Sequence, residues 1–173
     1  MANYIRILER SRAYLFHIVE EIAKRNMPME LALLPFVESG FNPRALSSAN
    51  ASGLWQFIPD TGTRFRLAQT PQFDARRDVR ASTGAALDYL EELFRMHKDW
   101  HLALAAYNWG EGNVGKAIAR NQRNGLGGAY TDLSMPMETR FYVPKLQAIK
   151  NLVARPGDYN VTLPLIHNHP YFQ

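Results

Sequence analysis

Four interruptions of otherwise apolar helical segments carry most of the acidic and uncharged polar side chains in this sequence that could do chemistry: Glu38-Ser39, Gly53 to Gln56, Tyr107-Asn108 and Glu138 to Tyr142. The first is the sharpest, because the apolar run Leu33-Leu34-Pro35-Phe36-Val37 ends on Glu38, and Ser39-Gly40 follows at once. A carboxyl group at the end of an apolar segment, beside a chain break, suits general acid catalysis, since desolvation favours its protonated form. A free glutamate titrates near pH 4.3, so keeping it protonated near neutrality takes an environment worth about 3–4 kcal/mol. Leu33, Leu34, Phe36 and nearby aromatics are the available source. The competing reading is that Glu38 solvates the last turn of a helix, as most glutamates do.

The elements that must position these groups follow from periodicity. Ile5, Leu8, Leu15, Ile18, Val19 and Ile22 recur at helical spacing and predict one amphipathic helix over about 4–25. Asn26-Met27-Pro28 stops it and restarts a second helix that runs to Glu38. Pro35 then lies inside that helix, where a proline costs about 3 kcal/mol, so a bend just before Glu38 is expected. Residues 40–53, rich in Gly, Asn, Pro, Ser and Ala, read as an ordered loop leading to the Gln56 segment. Asp60-Thr61 can cap a short helix after Pro59. Val79 to His97 is a strong helix whose alanines allow close packing, Trp100 to Asn108 is another, and Val114, Ala117 and Ile118 continue into a third. A Gly-rich connection over 121–136, anchored by Tyr130 and Leu133, precedes a last helix beginning near Met137. From Pro156 the tail has no period and reads as extended. Almost nothing reads as strand, so the fold class is all-α with at most a minor β-hairpin in the loops.

At 173 residues the chain fits a single domain, 1–173, with its core at about 10–155 and a tail over 156–173. A composition of 46% hydrophobic and 21% charged residues, with mean hydropathy −0.30, is that of a globular protein without a membrane-spanning run. The net charge of +4 is spread along the chain, with Arg76, Arg77 and Arg80 alternating with Asp74 and Asp78, which argues against nucleic-acid binding. Cysteine is absent, removing thiol nucleophiles, disulfides and Cys-based metal sites. His167-Asn168-His169 lacks a third ligand nearby, so no metal and no cofactor is expected. Met1 to Arg6 shows no secretory leader pattern, which fits either a cytosolic protein or part of a longer one.

Taken in order, Glu38-Ser39, Gly53-Leu54-Trp55-Gln56, Ala106-Tyr107-Asn108 and Glu138-Thr139-Arg140-Phe141-Tyr142-Val143-Pro144-Lys145 resemble the four motifs of the lytic murein transglycosylases with a goose-lysozyme-like catalytic domain, most closely their membrane-bound D group. Each motif is weak alone; four in sequence on a helical background are specific. The resemblance implies a lysozyme-like helical domain with a central substrate cleft. It also implies cleavage of the β-1,4 bond between N-acetylmuramic acid and N-acetylglucosamine in peptidoglycan, without water, leaving a 1,6-anhydro end. On this resemblance Glu38 is the catalytic acid and then base, with the substrate's N-acetyl group in place of a second carboxylate. Ser47 and Gln56 would contact the sugar, Tyr107 would sit near Glu38, and Glu138 would bind the substrate side of the cleft. Asn108 would either touch substrate or hold the helix break, and Tyr142 would either lie beneath Glu138 or pack in the core. Trp55 departs from the methionine common in the family, a bulky change expected to alter a subsite. Trp55, Phe57 and Trp109 are either sugar platforms or core.

Two rivals stand beside this reading: a goose-type lysozyme that places water for attack, with Asp74, Glu111 or Glu138 as a second acid, and a non-catalytic peptidoglycan-binding domain. The expected partner is the peptidoglycan glycan strand, with no nucleic acid and no membrane contact from this stretch, bound by a monomer. A wall-cleaving activity must meet its substrate in the periplasm or at the outer membrane, so a leader or anchor would have to be supplied outside this stretch.

Overall fold

The computed structural model describes residues 2–166 and 168–171. Among them the chain forms nine α-helices: α1 (Ala2–Ser11), α2 (Leu15–Lys24), α3 (Leu34–Ser39), α4 (Pro59–Arg64), α5 (Val79–His97), α6 (Trp100–Trp109), α7 (Glu111–Arg123), α8 (Met137–Arg140) and α9 (Tyr142–Ala154). Short 3-10 turns occupy Met29–Leu33, Ala75–Arg77, Tyr130–Asp132 and Pro156–Tyr159. The described residues hold no strand, and the expected hairpin is reduced to isolated bridges, Leu46 with Ser52, Ser52 with Phe57 and Gln69 with Asp74. The chain falls into two compact units, one made of residues up to Leu87 and from Ala148 on, the other of Asp88–Gln147.

In the first unit, the helix expected over 4–25 is two helices. Ser11 is buried and its hydroxyl donates to the Leu8 carbonyl at 2.6 Å, the kind of back-bond that ends or bends a helix, and α2 restarts at Leu15. The segment leading to Glu38 is also divided. Met29–Leu33 winds as a 3-10 turn, so Pro35 falls in the first turn of α3, where its missing N–H goes unneeded. The interior-proline penalty therefore never arises. Ile18, Ile22, Leu34, Leu54 and Trp55 are fully buried, and Tyr4 stacks on Phe36 at 5.9 Å. Asp60 and Thr61 lie within α4 instead of capping it, because Ile58 takes the N-cap position. The tail is less detached than its lack of period suggests: Val161 is buried, and Leu163 and Ile166 line an apolar cavity of about 150 Å³ with Leu8, Leu15, Phe36 and Phe41.

The second unit is built more directly from its pattern. Leu90 and Leu93 of α5, Leu102 to Ala106 of α6, and Val114 and Ala117 of α7 are buried. Asp99 caps α6 by accepting from the Leu102 N–H at 2.9 Å. Gly110, at φ +93°, ends α6 and begins α7, a conformation in which any side chain would be strained. The Gly-rich connection after α7 is tied down: buried Asn121 donates from Nδ2 to the carbonyls of Gly127 and Asp132 at 2.8 and 2.9 Å. Leu133 is buried and the Tyr130 hydroxyl donates to the Thr139 carbonyl at 2.7 Å, so both expected anchors hold. Burial pushes the Tyr130 hydroxyl's pKa up.

Among the described residues no helix is long and apolar enough to cross a membrane. No group of three or more His, Cys, Asp or Glu is placed among them to hold a metal ion, and His167 lies outside the described residues.

Candidate active site

Glu38, Ser47 and Gln56 belong to the first unit. Glu38 is half-buried in the last turn of α3, after the buried Leu34, Pro35 and Phe36 and the half-buried Val37. Gly40 closes the helix in the left-handed region at φ +56°, and Phe41 follows it at φ +54°. A left-handed phenylalanine costs roughly 1–2 kcal/mol. Burial of its ring, which meets Phe36 edge-on at 6.5 Å, offsets that with about 1.5–3 kcal/mol. The two successive left-handed residues turn the chain sharply away from Glu38, which makes the break after the carboxylate a defined corner.

That corner is fastened to the Gln56 segment. The Ser39 hydroxyl donates to the Leu54 carbonyl at 2.8 Å and lies 3.2 Å from the Pro35 carbonyl, while accepting from the Asn42 N–H. Gln56 is half-buried and itself left-handed at φ +54°, and its Nε2 donates to the Gly53 carbonyl at 2.9 Å and reaches the Ala45 carbonyl at 3.4 Å. Non-glycine residues in this region of backbone space cluster at functional sites. Ser47 accepts through Oγ from the N–H groups of Ala49 and Ala51, so its hydroxyl shapes the loop. Trp55 faces inward: it is 0% exposed and its indole N–H donates to Thr83 Oγ1 at 3.0 Å. Trp55 and the buried Phe57 are core, and the departure at Trp55 fills the interior of this unit instead of a subsite.

The charged turn from Asp74 to Asp78 underpins this segment. Arg76, 7% exposed, is paired with Asp74 and donates from Nη1 to the carbonyls of Asn50 and Phe57 at 2.8 and 3.0 Å. One guanidinium thus satisfies a carboxylate and both ends of the Asn50–Phe57 loop. Its hydrogen bonds hold the Asp74 carboxyl below the usual carboxylate range. Gly53 sits at φ +86° against the Arg76 backbone, and a Cβ there would overlap the Arg76 carbonyl oxygen. Arg77 Nε donates to Ser52 Oγ at 3.0 Å from the same turn.

Tyr107, Asn108, Glu138 and Tyr142 belong to the second unit. Asn108 joins α6 to α8: its Nδ2 donates to Glu138 Oε1 at 3.3 Å, and its Oδ1 accepts from Thr139 Oγ1 at 2.8 Å. Its side chain is therefore committed to holding two helices, which favours the structural reading of Asn108. Glu138 is exposed in the first turn of α8, and Tyr142 is 2% exposed, in keeping with the core reading. Trp109 is half-buried. Tyr107 is half-buried near the end of α6, and its ring packs on that of Tyr89 at 5.4 Å.

Sequence reasoning missed Ser39 as the clasp, Arg76 as the buried support and Tyr89 as the plate beneath Tyr107. Only Tyr89 left a signal, since it lies four residues from both Ala85 and Leu93 on the inner face of α5.

The family model described as Transglycosylase SLT domain matches residues 17–126, a span that holds Glu38, Ser47, Gln56, Tyr107 and Asn108. The chain belongs to that family, and its fold is all-α and lysozyme-like. It is 49% identical over 156 residues to membrane-bound lytic murein transglycosylase D of Escherichia coli (strain K12), covering 90% of this chain and 34% of that protein. A protein of Alteromonas sp. (strain M-1) named for tributyltin chloride resistance is 48% identical over 120 residues, 68% of this chain and 58% of that one. Membrane-bound lytic murein transglycosylase C of Glaesserella parasuis serovar 5 (strain SH0165) is 32% identical over 130 residues, 66% of this chain and 35% of the relative. The chain spans about a third of the length of the transglycosylases it matches.

Proposed function

We propose that this chain is the catalytic part of a peptidoglycan lytic transglycosylase. The observation that carries the reading is that the family span holds a half-buried glutamate at the end of an apolar helix, its corner clasped to the Gln56 segment by Ser39 and Leu54. Glu38, protonated, gives its proton to the oxygen leaving C1 of the muramoyl residue, and the C1–O bond breaks. The substrate's N-acetyl oxygen holds C1 in the interval. Glu38, now a carboxylate, takes the proton of the C6 hydroxyl as that oxygen closes on C1. The acid is restored, no water is consumed, and the product carries a 1,6-anhydro ring.

In this reading Gln56 and Ser47 line the sugar near the bond broken, Tyr107 offers its hydroxyl to the substrate's N-acetyl group, and Glu138 meets the glycan. Asn108 orients Glu138 through their hydrogen bond, and Tyr142 supports α8 from below. The partner is the glycan strand, met by a monomer outside the cytoplasm, in keeping with the membrane-bound relatives' names. Mass spectrometry of muropeptides released from purified sacculi tests the reaction. Ends lighter by one water than a reducing muramic acid support it; reducing ends would assign the protein to the hydrolases instead.

A further inference from the structure

Tyr89 is buried at 6% exposure on α5, yet it carries a hydroxyl that must find a partner. It finds Glu111, donating to Oε2 at 2.7 Å, the short length of a charge-assisted bond. Glu111 is the first residue of α7, where a carboxylate is favoured by the positive end of the helix. Tyr107, on α6, lies with its ring on Tyr89 at 5.4 Å and 39°. Gly110 at φ +93° reverses the chain between Tyr107 and Glu111, which brings the ring and the carboxylate to the same tyrosine. For packing alone a phenylalanine at position 89 would serve as well.

We propose that Tyr89 and Glu111 are positioning residues for Tyr107: the hydroxyl–carboxylate bond locks the Tyr89 ring, and the locked ring fixes the plane in which Tyr107 presents its own hydroxyl. The inference rests on the transglycosylase reading, and it deepens the part that reading gives to Tyr107. Misplacement of a group at a reacting centre by a fraction of an ångström to an ångström costs up to about a hundredfold in rate.

The test is steady-state turnover of sacculi by wild type, Tyr89→Phe, Glu111→Ala, Glu111→Gln, the Tyr89→Phe/Glu111→Ala double variant and Tyr107→Phe, with melting temperature measured for each. The expected result is a kcat roughly ten- to fiftyfold lower for Tyr89→Phe and Glu111→Ala with KM unchanged, no further loss in the double variant, and recovery to within about threefold of wild type in Glu111→Gln, which keeps an acceptor. Ring-flip rates of Tyr107 by NMR should rise in Tyr89→Phe, a readout that needs no activity. Wild-type kcat in Tyr89→Phe beside a defective Tyr107→Phe would overturn this inference alone, as would an unchanged Tyr107 flip rate. A wild-type protein that releases no anhydro ends would overturn the transglycosylase reading, while the NMR result still decides whether the lock exists.

Discussion

The stretch from Glu38 to Phe57 and the stretch from Asn108 to Tyr142 both carry polar groups of the candidate site, but they hold them in different ways. The first is mostly loop, with Gly40, Phe41, Gly53 and Gln56 all at positive φ, and is fixed by a buried guanidinium from another part of its unit. The second places its groups on helix ends, where α6 and α8 supply the positions and Asn108, Glu138 and Thr139 add side-chain bonds between them. A loop site of this kind concentrates its stability in a few irreplaceable contacts, whereas a helical one spreads it over side-chain burial. The acid of the proposed reaction stands at the head of the concentrated half.

The largest stability effect should therefore come from Arg76→Met. It removes the guanidinium that pairs with the Asp74 carboxylate and donates to the Asn50 and Phe57 carbonyls, leaving Asp74 only the backbone N–H of residue 76, and should cost about 3–5 kcal/mol in chemical denaturation, with loss of turnover even where the fold persists. Next is Gly53→Ala, which combines a left-handed backbone with overlap against Arg76 and should cost about 3 kcal/mol. In the helical half, Asn121→Ala removes two buried bonds and should cost about 1–3 kcal/mol, and Thr139→Val should cost about 1 kcal/mol. If Asn121→Ala destabilised the protein more than Arg76→Met, the contrast between the two halves would be lost.

The smallest effect lies outside both. The hydrogen bonds of Lys24 and Arg25 hold the Glu21 carboxyl down at about 2, below the 4.5 of an ordinary glutamate. Its contribution is thus fully present above about pH 4.5 and is lost as pH falls toward 2. Thermal melts across that window should fall less steeply for Glu21→Gln than for wild type.

The helical half was the more legible in sequence, because the spacing of Leu90, Leu93, Leu102 and Val114 carries its own period, and α5 and α6 fall almost where that spacing puts them. The early helices were misdivided for a physical reason: Ser11 and the 3-10 turn at Met29–Leu33 interrupt the backbone without interrupting the apolar repeat. In the loop half Glu38 and Gln56 were visible as polar groups in apolar runs. What fixes them was not, since the bonds from Ser39 to Leu54 and from Arg76 to Asn50 and Phe57 join residues far apart in sequence. Trp55 shows the limit in the other direction, because a large aromatic beside a motif looks the same in a one-dimensional reading whether it lines a cleft or fills a core.

The central claim is that one carboxyl group acts first as acid and then as base, and Glu38→Gln isolates it. The amide keeps the size and hydrogen-bonding reach of the side chain but can neither give nor take the proton. Incubated with purified sacculi, the variant should fold with an unchanged melting temperature and release anhydro-ended muropeptides at least about a hundredfold more slowly than wild type. Release at the wild-type rate would contradict the account.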